Sequence, residues 1–188
     1  MTMAEKMGRR INGLDVDALS EVLGEVERDP ARAQVHFRVR SAWKGQTRSR
    51  TAVESYTIGG QEVHRHFTID ADEPFELLGR NTAPNPQELL MSALNACLTV
   101  GYVTAASLRG IVLEKLEIET SGVLDLRGFL CVDPGVPPGY ERLCYVARIK
   151  GSATPAEFED IHAAVARMSP NYVNLARPVT VDGRLVVE

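Results

Sequence analysis

Cys97 stands in the middle of twenty consecutive residues without a charge, Leu89 to Leu108 (LLMSALNACLTVGYVTAASL). Asn85-Pro86-Gln87-Glu88 opens the stretch as a helix start, with Asn85 as the cap and proline in the first turn. A thiol on an apolar helix has two readings. It is a small packing side chain, since cysteine is among the most buried residue types. Or it is a nucleophile, which requires a neighbouring cation to favour the thiolate. Leu90, Ala93, Leu94, Cys97, Gly101, Thr104 and Leu108 form one stripe, which puts Cys97 on a packed face. Cys97 lies too deep in the helix to draw on its own N-terminus, because the dipole effect fades within about one turn. The cation must come from elsewhere in the fold or from a second subunit. Arg48 and Arg50 are candidates; otherwise they belong to a solvated strand edge.

Other chemistry is sparsely represented. Cys131 falls in a proline-rich segment, and Cys144 alternates with Leu143 and Tyr145 on the opposite face of a strand. Either is redox-active or an ordinary surface side chain. Three cysteines on 188 residues are not a disulfide scaffold, and they point to a reducing compartment. His64 and His66 share a strand face, but no third ligand or Cys-x-x-Cys accompanies them, so no metal is expected. No phosphate loop, dinucleotide fingerprint or serine nucleophile elbow appears, and no cofactor is expected. With 21 basic against 25 acidic residues, net charge −4, the chain has no general attraction for nucleic acid or an anionic membrane.

The elements that must position these groups follow from periodicity. Residues 1–12 read as a flexible tail, and Asp15 to Arg28 as an appended helix with Leu19, Val22, Leu23 and Val26 on one face. Val35, Phe37, Val39 and Trp43 alternate as a half-buried strand, with Trp43 expected to pack. Thr51–Ile58 and Val63–Ile69 form a hairpin turned by Gly59-Gly60. Asp70 to Pro84 is a loop. The apolar helix follows, ending at Arg109-Gly110. Its length fits a membrane span, but Ser92, Asn95, Thr99, Thr104 and Ser107, and the lack of a flanking basic cluster, favour a buried central helix. Leu116, Ile118 and Thr120 mark a strand, residues 122–139 a loop, and Leu143, Tyr145, Ala147 and Ile149 another strand. Thr154-Pro155-Ala156-Glu157 is a capping box, followed by a buried face of Phe158, Ile161, Val165 and Met168. Ser169-Pro170 opens a further short helix, whose Tyr172, Asn174 and Arg177 are candidate pocket residues. Val179–Val187 closes the chain as a strand turned at Asp182-Gly183. The fold class is α+β: a mainly antiparallel sheet around one buried central helix.

Several phrases together resemble the OsmC/Ohr family: Asp72-Glu73-Pro74, Leu78-Gly79, Pro84-Asn85-Pro86-Gln87-Glu88-Leu89-Leu90, Ala93-Leu94-Asn95-Ala96-Cys97, the strands around Trp43-Lys44-Gly45, and Ser169-Pro170 to Val181. The resemblance runs from about Val35 to the C-terminus. It implies an intertwined homodimer with sites at the subunit interface, and thiol-dependent reduction of organic hydroperoxides. In such proteins a peroxidatic cysteine on the central helix becomes a sulfenic acid, and a second cysteine in a Cys-Pro turn resolves it as a disulfide. An arginine and a glutamate orient the first thiol. Cys97 matches the peroxidatic position, and Arg48 or Arg50 the arginine. Two positions depart from the pattern. Ser169, in Ser-Pro, stands where the resolving cysteine would be, and Gln87 stands where the glutamate would be. Glu88 is adjacent but points about 100° away on a helix. Ten residues of helix span about 15 Å, so Gln87 and Cys97 cooperate only across a helix break or from a partner chain.

The expected organisation is a tail and appended helix over residues 1–32 and an OsmC-like domain over 33–188. The expected function is a cytoplasmic peroxidase for oxidative-stress defence, acting on a small-molecule hydroperoxide and recycled by an external thiol reductant. The alternative is a non-catalytic binding protein that holds an apolar or electrophilic small molecule at the dimer interface.

Overall fold

The computed structural model describes residues 8–188. The expected tail, residues 1–12, lies in part outside them. Of the rest, Arg10–Ile11 (β1) and Leu14–Asp15 (β2) pair as a small hairpin through Asn12 and Gly13, both at positive φ. The fold is α+β with antiparallel sheets, and it divides into two compact units, Met1–Ser92 and Ala93–Glu188.

The first unit opens with helix α1, Val16–Arg28, capped by the Asp15 side chain. Val16 is buried, but Val22 and Leu23 of the predicted docking face are exposed. The unit's sheet is built on the long strand β5, Ser49–Ile58. One edge of β5 pairs with β6, Gln61–Ala71, through Gly59 and Gly60, whose φ values of 53° and 79° suit a two-residue hairpin turn. The other edge carries two short strands, β3 (Val35–Phe37) and β4 (Arg40–Trp43). The single half-buried strand expected over 35–43 is therefore two pieces broken at Arg38–Val39. Both pieces are exposed along their length. Trp43 does not pack: its ring is exposed and its indole N–H donates to the Gln46 carbonyl at 2.8 Å. An alternating pattern fixes which face is apolar but not whether this chain alone covers that face.

Helix α2 runs unbroken over Pro86–Leu108 and is shared by the two units. Its start is a reciprocal cap: the Asn85 side chain accepts from the Glu88 amide and the Glu88 carboxylate accepts from the Asn85 amide, both at 2.8 Å. Its end is set by Gly110 at φ 74°.

The second unit packs the rest of α2 and helix α4 (Pro155–Met168) against an antiparallel hairpin, β7 (Leu113–Gly122) and β8 (Leu143–Gly151). Alternation delivers Leu116, Ile118, Tyr145, Ala147 and Ile149 to the packed face and leaves Glu117, Glu119 and Arg148 in solvent. The core is Leu94, Leu98, Tyr102, Ala105, Ala106, Ile111, Ile161 and Val165. Among the described residues α2 is the one helix long and apolar enough to span a membrane. Its buried side chains here face the hairpin and α4. The buried stripe runs through Leu94, Leu98, Tyr102 and Ala105, one residue round from the expected stripe, so Cys97 lies at its margin. Asn95 ties α2 to β7, donating to the Ile118 carbonyl at 3.3 Å and accepting from the Thr120 hydroxyl at 2.5 Å.

Residues 122–139 contain a four-residue helix, α3 (Leu126–Phe129), which no periodicity announced. On α4, Ile161 and Val165 are buried and Phe158 half-buried, but Met168 is exposed because it follows the last packed turn. Helix α5 is Pro170–Ala176. The closing strand expected over 179–187 does not form: these residues pair with no strand, and Val181, Leu185 and Val187 are exposed. A strand exists through its ladder, and among the described residues no strand edge pairs with this segment.

Candidate active site

Cys97 is half-buried on α2, and all three cysteines are free thiols. Its sulfur accepts a hydrogen bond from the Ser169 hydroxyl at 3.2 Å. Ser169 stands at the joint between α4 and α5 and is only 3% exposed. Its amide donates to the Val165 carbonyl at 2.9 Å, closing α4, and its Oγ accepts from the Tyr172 amide at 3.3 Å, opening α5. Pro170 follows as the first residue of α5, where a missing N–H costs nothing. The hydroxyl is thus locked by backbone on both sides. Asn171 adds a tie from α5 to α2, donating to the Ala93 carbonyl at 2.8 Å.

An aromatic layer backs this pair. The Tyr102 hydroxyl is hydrogen-bonded to His162 Nδ1. Tyr145 lies between the His162 and Tyr172 rings, at centroid distances of 5.7 and 6.3 Å. Burial pushes the Tyr102 phenol well up from its ordinary range, and neighbouring Tyr145 adds to the shift. Burial likewise raises Tyr145, with Tyr172 adding to it. Both phenols stay protonated and hydrogen-bond as neutral groups. Of the expected pocket residues, Tyr172 joins this layer, whereas Asn174 and Arg177 are exposed.

The close approach of α2 and α4 has an identifiable cause. A Cβ on Gly101 would lie 2.9 Å from Val165 Cγ1, nearer than van der Waals contact allows. Gly101 is one turn beyond Cys97, and Val165 is one turn before Ser169. The missing methyl lets the helices meet, and the thiol–hydroxyl bond sits one turn away.

The other expected site residues lie in the first unit. Arg50, on β5, is committed to Asp70 by two hydrogen bonds at 2.6 and 2.8 Å. That pair holds the Asp70 carboxyl below its ordinary range, chiefly through the hydrogen bond. Arg48, just before β5, donates to the Lys44 carbonyl at 2.9 Å and has a buried Nε with no partner among the described residues. Gln87 is half-buried in the first turn of α2. Glu88 is the capping carboxylate described above, so its charge serves the helix start.

Sequence reasoning did not single out the loop anchor beside Arg48. Asp72 is 1% exposed and accepts from the Thr47 and Thr82 hydroxyls and from the amides of Glu73, Arg80 and Thr82. Burial alone would raise this carboxyl. The hydroxyls of Thr82 and Thr47 and the surrounding amides outweigh it and hold the carboxyl far below the ordinary range. The local signal was weak, because Asp72 stands beside Asp70 and Glu73 and its threonine partners lie 25 residues before it and 10 after it.

Elsewhere, His64 and His66 are exposed on β6, and among the described residues no group of three or more His, Cys, Asp or Glu is placed to hold a metal. A cavity of about 730 Å³ in the second unit is lined by Val123, Arg127, Val136, Arg142 and Cys144 among others. Cys97 is not part of its wall.

The sequence model of the OsmC-like protein family matches residues 79–183, more than half of the chain. The chain belongs to the OsmC family. Its solved structural relatives include the OsmC-like protein of Mycoplasma pneumoniae, with a TM-score of 0.59 at 15% identity over 74% of this chain and 86% of that one. A putative osmotic stress induced and detoxification response protein from Psychrobacter arcticus aligns with a TM-score of 0.55 at 13% identity, over 71% of this chain and 84% of that one. A Legionella pneumophila protein described as an organic hydroperoxide resistance protein aligns with a TM-score of 0.51 at 20% identity, over 76% and 89%. At these identities the likeness is one of fold. No curated protein matches the chain.

Proposed function

We propose that this protein is a thiol-dependent peroxidase that reduces organic hydroperoxides, with Cys97 as the nucleophile. The observation that carries the reading is the 3.2 Å hydrogen bond that a buried hydroxyl gives to the half-exposed Cys97 sulfur, in a chain of the OsmC family. The Cys97 thiolate attacks the terminal peroxide oxygen, the O–O bond breaks, and the alkoxide leaves and takes a proton from water. The sulfur, oxidised by two electrons, becomes a sulfenic acid. One external thiol condenses with it, releasing water and leaving a mixed disulfide; a second displaces the first as a free disulfide and restores the thiol. Ala93, Ala96 and Val100 are exposed on α2 around Cys97, an apolar surround that suits an alkyl peroxide over hydrogen peroxide.

The thiolate also needs a cation, because a neighbouring positive charge is what favours a thiolate over a thiol. We assign that role to Arg48, since Arg50 is already paired with Asp70. A homodimer fits this reading, in that Trp43, Phe37 and Val100 are apolar and largely uncovered in one chain. Gln87 would then act toward a partner's thiol as a neutral hydrogen-bonding group. Cytoplasmic defence against oxidative stress is the accompanying role, in keeping with the hydroperoxide resistance named for the Legionella relative. One feature favours the binding-protein alternative: no thiol stands at Ser169 to close an internal cycle.

The test is consumption of cumene hydroperoxide by the reduced protein with dithiothreitol, compared with Cys97→Ser. Loss of consumption in the variant supports the proposal. Equal rates in the two proteins refute it and leave the binding alternative.

A further inference from the structure

We infer that Ser169 is the residue that holds the Cys97 thiolate and, once it is oxidised, its sulfenic acid, so that the sulfur waits for a thiol from solution instead of bonding within its own chain. The sulfenic-acid half of the inference rests on the peroxidase reading; the thiolate half does not.

Three features of the joint carry it. The Ser169 hydroxyl has one proton and two lone pairs. The Tyr172 amide occupies a lone pair, and the proton goes to Cys97 Sγ. The hydroxyl is 3% exposed, so that proton does not have the easy alternative of bulk water. The backbone of Ser169 is held by the Val165 carbonyl that accepts its amide and by the Pro170 ring after it, which restricts where its Oγ can lie. A neutral thiol accepts weakly and can itself donate to the hydroxyl. A thiolate only accepts, and strongly. The same donor therefore makes a stronger bond to the thiolate than to the thiol. After oxygen transfer the sulfenic acid carries an O–H and lone pairs that the same hydroxyl can serve. Ser169 cannot form a disulfide with the sulfur, so no thiol of this joint reduces it.

A purely structural role, capping α5, predicts something different. Removing the cap would loosen the helix and leave the reactivity of Cys97 alone. The readout is therefore alkylation of Cys97 by iodoacetamide as a function of pH. It is followed on the Cys97 peptide by mass spectrometry in the full-length protein, because exposed Cys131 and Cys144 also react. Ser169→Ala is expected to slow alkylation about tenfold near pH 7, since hydrogen bonds to charged groups are the strong ones. Ser169→Thr, which keeps the hydroxyl, is expected to restore the wild-type profile. Ser169→Cys places a second sulfur where an oxygen now lies 3.2 Å away. One equivalent of cumene hydroperoxide is expected to leave that variant with a disulfide between Cys97 and the introduced thiol, about 2 Da lighter than the reduced protein.

A wild-type alkylation profile in Ser169→Ala would overturn the inference. So would absence of the disulfide in Ser169→Cys when dimedone traps a sulfenic acid on Cys97 of the wild type. If dimedone traps nothing in the wild type, the peroxidase reading and the sulfenic-acid half fall together. The alkylation profiles, which involve no peroxide, still decide the thiolate half.

Discussion

Gly101→Ala tests whether the helix contact sets the thiol geometry. The added methyl would lie 2.9 Å from Val165 Cγ1, 3.4 Å from Cγ2 and 3.6 Å from Cβ. Val165 is 1% exposed and β-branched, so its side chain has few other rotamers to adopt. Relief to ordinary contact requires roughly half an ångström of movement, which the packed neighbours resist. Overpacking of this kind costs about 1–3 kcal/mol. Alanine returns about 1 kcal/mol of helix propensity. The net expectation is a loss of about 0–2 kcal/mol, or a fall in Tm of up to about 8 °C for a chain of this size. The same movement separates Cys97 from Ser169, a turn along each helix, and a 3.2 Å bond lengthened by half an ångström is substantially weakened. Alkylation of Cys97 is therefore expected to slow about threefold or more at neutral pH, and Val165→Ala in the same chain is expected to recover most of that loss. Scanning calorimetry and the peptide-resolved alkylation rate make the two measurements. A variant that loses stability while Cys97 reacts at the wild-type rate would show that the helix contact and the thiol are independent, and would refute the reasoning.

Three further expectations are open to simpler measurement. Asp72 has a folded carboxyl far below its unfolded value near 3.9, so its stabilisation is present above about pH 4 and is lost as pH falls toward the folded value; Asp72→Asn is expected to lower Tm at pH 7 and to flatten its decline between about pH 5 and pH 3, and parallel Tm–pH curves would contradict this. Arg48→Ala is expected to slow Cys97-dependent peroxide consumption about tenfold or more, whereas Arg50→Ala does so far less because Asp70 already engages it; the reverse order would move the assignment to Arg50. Sedimentation equilibrium at micromolar concentration is expected to give about twice the 20.6 kDa chain mass, and a monomer would remove the interface from the proposed site.

Much of the architecture was legible because each element carries its own local statement. Asn85-Pro86 and Thr154-Pro155 announce helix starts, Gly59-Gly60 a hairpin, and the alternation through Leu116 and Ile118 a strand with one packed face. Failures came where the deciding partner is distant. Val179 to Val187 alternates as a strand should, yet it forms none without an edge to join. Trp43 and Met168 have the composition of packed residues, and the described residues leave both exposed. The site behaved the same way. Cys97 could be singled out from its setting and Ser169 from its family position. Their hydrogen bond depends on Gly101 admitting α4, a contact between residues 64 apart that no local pattern encodes.

That bond bears on whether Cys97 is packing or chemistry. As packing alone, the joint between α4 and α5 needs a hydroxyl only for its lone pair, which receives the Tyr172 amide. The proton is then a liability in a site 3% exposed, because an unmatched buried donor costs about 1–3 kcal/mol. Delivering it to a neutral thiol recovers little of that, since sulfur of this kind accepts weakly. Delivering it to a thiolate recovers much more. The joint therefore has a use for a sulfur that accepts strongly, which is the property a nucleophilic thiol has and a packing thiol lacks. A thiol kept for volume would gain nothing from this arrangement, and Leu98, the next residue on α2 and fully buried, shows the place such a side chain takes.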